Sequence, residues 1–386
     1  MIFFEYLQNA STEKVHSQFL GWLFSQGNLG ISDYEKIKLL NILTNNSISD
    51  NEKILQVYTE NQNIDILIKL DNQVVIIENK IKISQSINQL KKYEKEAENL
   101  YPNLENHSFV FLSLIDEKPK SDNWLKVTYK QFLTNGLFNL EYLDHHHRYI
   151  IKEYITNLSL LTDSIEAFIE SPESMTNIFT LANKKKYEKI IPSNINKHEK
   201  YICRNNLETI AQKYLYQKII EDVKNDFQLP IITETRGNAL IDLKKPIDKS
   251  NDNIKVKTLS IAGFEYDFGI QIQSGSIKIQ IELGYHKNGR PKKFDQKKKN
   301  IIDNYSEKIY NKINEISYKR NKLENEWIRF NKSKAKRSIY MSASKGIKFN
   351  DGQKFYRHNF FELRNVYLKE IKNCQYVIDQ LSKVHF

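Results

Sequence analysis

The 386-residue sequence holds only two cysteines, Cys203 and Cys374, and no Cys-x-x-Cys spacing. That excludes a disulfide framework, and a reducing cytoplasm is the expected compartment. No apolar run approaches the roughly 18 residues of a membrane span, so no membrane partner is expected. The start, Met1-Ile2-Phe3-Phe4-Glu5, lacks the basic segment of a secretory signal. No phosphate-loop Gly-Lys-Ser/Thr pattern occurs, which argues against an ATP motor. No internal repeat is visible. What remains is an ordinary globular composition, 40% hydrophobic and 27% charged. The length suits two or three domains of roughly 100–200 residues each.

Positive charge is scarce in the first half and abundant in the second. The net charge is +11, split as −4 over residues 1–200 and +15 over residues 201–386. A near-neutral half beside a basic half suggests that one part acts on a polyanion and the other grips it. The Lys-, Asn- and Ile-rich composition of the whole chain accounts for some of the lysine.

The stretch from Asn63 to Lys80 reads as two strands joined by a two-residue turn at Asp71-Asn72. Leu70 then pairs with Gln73, and counting back sets Asp65 opposite Glu78. Lys80 follows Glu78 by two and shares its face. Like charges directly opposite each other destabilise a sheet. Leu67, Val74 and Ile76 flank them, and charge among apolar neighbours is costly unless paired. A divalent cation between the two carboxylates, with Lys80 beside it, offsets that cost. The competing reading is an ordinary solvated strand face. A one-residue slip in register would separate the acids.

Around this hairpin the pattern predicts a helix over 12–25, capped by Ser11 or Thr12, with Val15, Phe19, Trp22 and Leu23 at helical spacing. A strand over 53–60 precedes the hairpin. An amphipathic helix over 84–100 follows, with Ile87, Leu90, Ala97 and Leu100 inward. Strands over 107–115 and 125–129 come next. Helical patterns then run from 141 to 189 with a break at Ser171-Pro172, and 190–196 reads as a linker. Beyond it the sequence predicts a helix over 200–224, strands over 231–235 and 239–243, and a hairpin 268–283 turning at Ser274-Gly275. That hairpin has one Ile face and one Gln/Lys/Glu face. A basic helical stretch over 292–336 and a closing helix over 362–383 complete the chain. The fold class is α/β, an α-β-β-β-α-β core with a helical extension and a second, basic α+β domain. The expected division is 1–135, 136–196 and 197–386.

With those residues laid out, the first half resembles the PD-(D/E)xK nuclease superfamily, the restriction-endonuclease-like fold. Ile64-Asp65 and Glu78-Asn79-Lys80 occupy the motif positions, with Ile64 where the motif has proline. Glu13-Lys14-Val15-His16-Ser17 is similar to an amino-terminal Glu-x-x-His-Ser segment of bacterial members, and Gln89 to Tyr93 to their Gln-x-x-x-Tyr helix. The likeness covers about residues 10–130. It implies that Asp65 and Glu78 bind Mg²⁺, with Mn²⁺ as a substitute, because hard carboxylate oxygens suit a hard cation. It implies that the Asn79 carbonyl completes the site, that Glu13 reaches the metal directly or through water, and that Lys80 orients or deprotonates the attacking water. Gln89 and Tyr93, four apart on one helical face, position the site or contact phosphate.

The implied activity is metal-dependent phosphodiester hydrolysis, with DNA the expected nucleic-acid partner over RNA and endonucleolytic cutting the expected mode. Bacterial defence or DNA processing is the implied setting. A homodimer is the expected assembly, since cutting both strands takes two sites or two passes. The alternative is a non-catalytic nucleic-acid-binding protein that keeps the fold. No comparable constellation of chemistry-bearing residues appears after residue 200. In the basic half, Lys287, Arg290, Lys292 and Lys293 surround a Gly-Arg-Pro core and are expected to contact phosphate, as are Lys297-Lys298-Lys299 and the run 332–337. The run His145-His146-His147 points in different directions on a helix and is expected to face solvent rather than a metal.

Overall fold

The computed structural model describes residues 4, 10–61, 64–82, 89–102, 104, 106–119, 121–182, 184, 188–223, 226, 232–236, 240–244, 258–261, 264–273, 276–283, 296–321, 330–332, 340–346 and 355–384. Two compact units emerge: Met1–Ile169 with Asn177–Tyr214, and Glu170–Thr176 with Leu215–Phe386. Most of the segment expected as a separate extension thus belongs with the amino-terminal core. So does the start of the region expected to form the basic domain.

The first unit begins with α1 (Glu13–Phe24) and α2 (Asp33–Thr44), followed by β1 (Ile54–Asn61), β2 (Ile64–Leu70) and β3 (Gln73–Lys80). Then come α3 (Gln89–Leu100), β4 (Asn106–Ser113), β5 (Trp124–Thr128), α4 (Tyr129–Asn135) and α5 (His145–Glu170). The sheet order is β1-β2-β3-β4-β5. β1, β2 and β3 pair antiparallel, and β3, β4 and β5 pair parallel. A parallel neighbour needs a crossover, which α3 supplies between β3 and β4. This is the restriction-endonuclease-like core.

The central strand β3 is buried along Gln73–Asn79, as a strand covered on both faces must be. One cover is α3. Its Leu90, Tyr93 and Ala97 join Leu67, Val74, Ile76, Phe111 and Trp124 in a common core. Leu100, expected inward, is 37% exposed because the helix ends there. The other cover includes α1, which lies close enough to β1 that a Cβ on Gly21 would sit 2.3 Å from Thr59 Cγ2. Only glycine permits that approach.

Two details depart from the sequence pattern. Thr12 is the N-cap residue of α1 but makes no side-chain cap bond, while the Ser11 hydroxyl donates to the Asn205 carbonyl 2.8 Å away. The helix α2 was not anticipated, although its signals are present. Ser32 accepts the Glu35 N–H in the cap, and Ile37, Leu40, Leu43 and Thr44 are buried at helical spacing.

After α6 (Asn177–Leu181), the single helix expected over 200–224 proves to be two, α7 (Lys197–Arg204) and α8 (Glu208–Val223). Asn206 adopts φ 55 between them, a left-handed conformation that asparagine tolerates. At the start of α5, His147 stacks on Trp22 and hydrogen-bonds Asp144, so this histidine does not simply face solvent.

The second unit, taken by itself, holds β6 (Ile232–Arg236), β7 (Leu240–Lys244), β8 (Thr258–Ile261), β9 (Phe264–Gln273) and β10 (Ser276–Leu283). It continues with α9 (Gln296–Asn321), β11 (Asn331–Lys332), β12 (Tyr340–Gly346) and α10 (Phe360–Leu381). Its antiparallel sheet runs β11-β12-β10-β9-β7-β6, with β8 on β9. The expected hairpin is β9–β10, with Gln273 paired to Ser276 and Ile270, Ile272, Ile277 and Ile279 buried. β11 interrupts the stretch expected to be helical through 336. Lys287, Arg290, Lys292 and Lys293 lie outside the described residues, as do the turn at 274–275 and residues 333–337. No described helix is long and apolar enough to cross a membrane.

His16 of α1 has no exposed surface. Its Nε2 faces the Ala10 carbonyl at 3.0 Å, and burial pulls its pKa from 6.5 to about 4. The folded protein therefore holds His16 neutral while the unfolded chain takes up a proton below about 6.5. Stability is lost as pH falls through that window and the loss is complete near pH 4, on the order of 3 kcal/mol from this group. Urea midpoints measured between pH 7.5 and 4.5 should fall more steeply for the wild type than for His16→Gln. Equal slopes would show that His16 does not set the acid limb.

Candidate active site

The turn at Asp71-Asn72 leaves β2 and β3 in the register Ile66↔Ile77, Leu67↔Ile76, Ile68↔Val75. Continued by one pair, that register sets Asp65 across from Glu78. Both acids point toward the α3 face of the sheet. Glu78 has no exposed surface, and Asp65 is half-buried. Burial together with the facing Asp65 carboxylate pushes Glu78 up to about 8, and the Lys80 ammonium opposes that rise. Burial also raises Asp65, opposed by the Asn79 N–H that donates to its Oδ2 at 2.8 Å. Both acids resist ionising side by side without a counter-charge.

Lys80 supplies one positive charge. Its Nζ lies 2.5 Å from Glu78 Oε1, with 12% of the side chain exposed. Burial works to lower its pKa, but the Glu78 carboxylate outweighs it and the net shift is upward. Gln89, the first residue of α3, donates from Nε2 to Glu78 Oε1 at 2.7 Å and to the Tyr93 hydroxyl at 2.9 Å. The Gln-x-x-x-Tyr spacing thus builds one side of the site, because residues four apart share a helical face. Glu78 Oε1 receives two donors, whereas Glu78 Oε2 is buried with no hydrogen-bond partner. An orphaned carboxylate oxygen in that position is expensive, and it is what a cation-binding site leaves available.

Glu13 lies near enough for its charge to raise both Asp65 and Lys80. Its Oε1 accepts the backbone N–H groups of Ile81 and Lys82, each at 2.9 Å. The carboxylate fastens the end of β3 to α1. Among the described residues no three His, Cys, Asp or Glu side chains converge as a metal cage, so the carboxylates that meet are two. Asn79 has no exposed surface. In an extended strand the N–H and C=O of one residue point to the same edge. The Lys80 carbonyl takes the Leu114 N–H on the β4 side, so the Asn79 carbonyl points to the β2 side, where Asp65 lies. Sequence reasoning missed Glu60, whose charge raises Asp65, and Tyr129, whose hydroxyl donates to Asn79 Oδ1 at 2.8 Å. No spacing signal marks either residue.

The donor set, two carboxylates with one orphaned oxygen, an adjacent ammonium and a strand carbonyl, fits a hard divalent cation. A five-stranded mixed sheet carrying such a centre defines a nuclease-type fold. Residues 2–190 match the family model of the PD-(D/E)XK nuclease superfamily. No curated protein and no solved structure matches the chain.

At pH 9 without divalent ions, where Glu78 is ionised, Glu78→Gln removes a like charge from a buried pair while keeping an acceptor for Gln89 and Lys80. Its melting temperature in EDTA should exceed that of the wild type, by an amount worth about 1–2 kcal/mol. A lower melting temperature would mean that the ion pair with Lys80 outweighs the repulsion.

Proposed function

We propose that this chain is a Mg²⁺-dependent deoxyribonuclease that cuts DNA internally. The observation that carries the reading is the orphaned Glu78 Oε2 beside Asp65, with Lys80 ion-paired at 2.5 Å. Asp65 and Glu78 would hold the ion through their carboxylates, and the Asn79 carbonyl would be a third donor. Such an ion, when bound, lowers the pKa of water and offsets charge building on the phosphate. Lys80 keeps its proton in the resting site. Its ammonium orients the attacking water and faces the negative charge of the phosphodiester. Gln89 holds Glu78 Oε1, which would leave Oε2 available to an ion, and Tyr93 fixes the Gln89 amide. Glu13 orders the end of β3 and so places Lys80.

The +15 charge over residues 201–386 supports a role for the second unit in gripping a polyanion, with Lys287, Arg290, Lys292 and Lys293 contacting phosphate. Cys203 and Cys374 are buried and form no disulfide, which suits a reducing cytoplasm. A homodimer would bring two centres to the two strands of a duplex. Discrimination of foreign DNA is the setting proposed for this activity.

The test offers supercoiled plasmid, linear duplex, single-stranded DNA and RNA to the wild type, Glu78→Ala and Lys80→Ala, with Mg²⁺, Mn²⁺ or EDTA. Wild-type protein should linearise or nick plasmid only with a divalent ion. Each substitution should slow cutting by at least about 100-fold, the scale on which one charge-stabilising group acts. Cutting that survives both substitutions places the chemistry elsewhere. DNA binding without cutting by any form would favour a binding protein that keeps the fold.

A further inference from the structure

The sheet face behind the carboxylates carries a second set of contacts, and they converge on the middle residue of Glu78-Asn79-Lys80. Successive side chains of a strand point to opposite faces. Asn79 therefore reaches away from Glu78 and Lys80, toward α1 and α4. Its Nδ2 donates to the Glu13 carbonyl at 3.0 Å and to the Ser17 hydroxyl at 3.1 Å. A carbonyl only accepts, so this bond fixes which end of the amide is nitrogen. The Tyr129 hydroxyl, 2.8 Å from Oδ1, must then be the donor.

Tyr129 is well placed for that task. It has no exposed surface and never meets solvent or substrate. It opens α4, whose start is locked by a reciprocal cap between Thr128 and Gln131. Burial raises its pKa well above the usual tyrosine range, so the donor stays protonated. The neighbouring Tyr154 interacts with the Tyr129 hydroxyl as well as with His16, so it belongs to the same buried network. His16 Nε2 faces the Ala10 carbonyl and must carry the ring proton. Nδ1 is then an acceptor, and it takes the Tyr154 hydroxyl 3.0 Å away.

Asn79 connects the two faces of the sheet. Its side chain is held from behind by Tyr129 and α1, and its backbone N–H holds Asp65 Oδ2 in front. We propose that Tyr129 is a positioning residue of the carboxylate centre, setting the Asn79 backbone, and through it the Asp65 carboxylate and the Asn79 carbonyl, at the separation a divalent ion requires. The proposal rests on reading Asp65 and Glu78 as the ion-binding pair. Outer partners that orient metal ligands typically contribute about 10–100-fold to affinity.

The experiment titrates Mn²⁺ into full-length, metal-free wild type, Tyr129→Phe, Tyr201→Phe and Ser17→Ala, reading free Mn²⁺ by electron paramagnetic resonance and melting temperature alongside. Tyr129→Phe should weaken Mn²⁺ binding about 10-fold. In plasmid cleavage at saturating Mn²⁺ it should lower kcat and leave KM unchanged. Tyr201→Phe should lose comparable stability, since it too strands a buried asparagine oxygen, that of Asn157, yet bind Mn²⁺ as the wild type does. Ser17→Ala, a milder change to the same amide, should shift affinity in the direction of Tyr129→Phe, and it carries the test should Tyr129→Phe not fold. Wild-type affinity in folded Tyr129→Phe, an equal loss in Tyr201→Phe, or no shift in Ser17→Ala overturns the proposal. If the wild type binds Mn²⁺ but cuts nothing, the nuclease reading fails, and the weaker binding of Tyr129→Phe still supports the positioning role. No Mn²⁺ binding by the wild type overturns both.

Discussion

The unfavourable approach of Asp65 and Glu78 across one hairpin organises the amino-terminal unit. Two carboxylates set opposite each other in a buried sheet repel and lose hydration together. The surrounding structure answers that cost group by group. Lys80 brings a charge, Gln89 donates an amide hydrogen to Glu78, and the Asn79 N–H does the same for Asp65. One oxygen, Glu78 Oε2, is left without a partner. A protein selected only for stability would place apolar residues at such a pair. That strain is retained at this point fits the general pattern in which perturbed acids mark sites of function.

The sheet separates two tasks by face. Alternation along β3 puts Glu78 and Lys80 on the α3 side and Asn79 on the side of α1 and α4. The carboxylates and the ammonium occupy one side, and the hydrogen bonds that hold the Asn79 amide occupy the other. The first turn of α1 serves both: the Glu13 carbonyl holds the Asn79 amide, and the Glu13 carboxylate takes the two N–H groups that follow β3. Those N–H groups lie where the ladder ends and would otherwise be unsatisfied. One residue thus finishes the strand and fixes the helix against it.

Legibility in the sequence followed the range of the interaction. The hairpin was readable because a two-residue turn sets register, and register sets which side chains meet. Gln89 and Tyr93 were readable because helical spacing fixes a shared face. In α2 the helical spacing of Ile37, Leu40 and Leu43 is blurred in the sequence by polar Lys36 and Asn41, which are buried beside them. Leu100 was misplaced because an element's last turn turns away from the core. Asn206, which splits α7 from α8, has no signal stronger than asparagine's tolerance of positive φ. Glu13 was recognised as a site residue, but its acceptance of backbone amides depends on where β3 stops.

The sequence by itself determined the α-β-β-β-α-β order, the pairing of Asp65 with Glu78, and the placement of Lys80, Gln89 and Tyr93 beside them. Periodicity and turn length are local rules, and each of these follows from them. Only the tertiary structure decided that Tyr129 would stand behind Asn79, that His16 would be sealed neutral against Ala10 and Tyr154, and that Glu78 Oε2 would be the oxygen left over. Those contacts join residues as many as 138 positions apart. They depend on how helices pack against a sheet, which no spacing along the chain encodes.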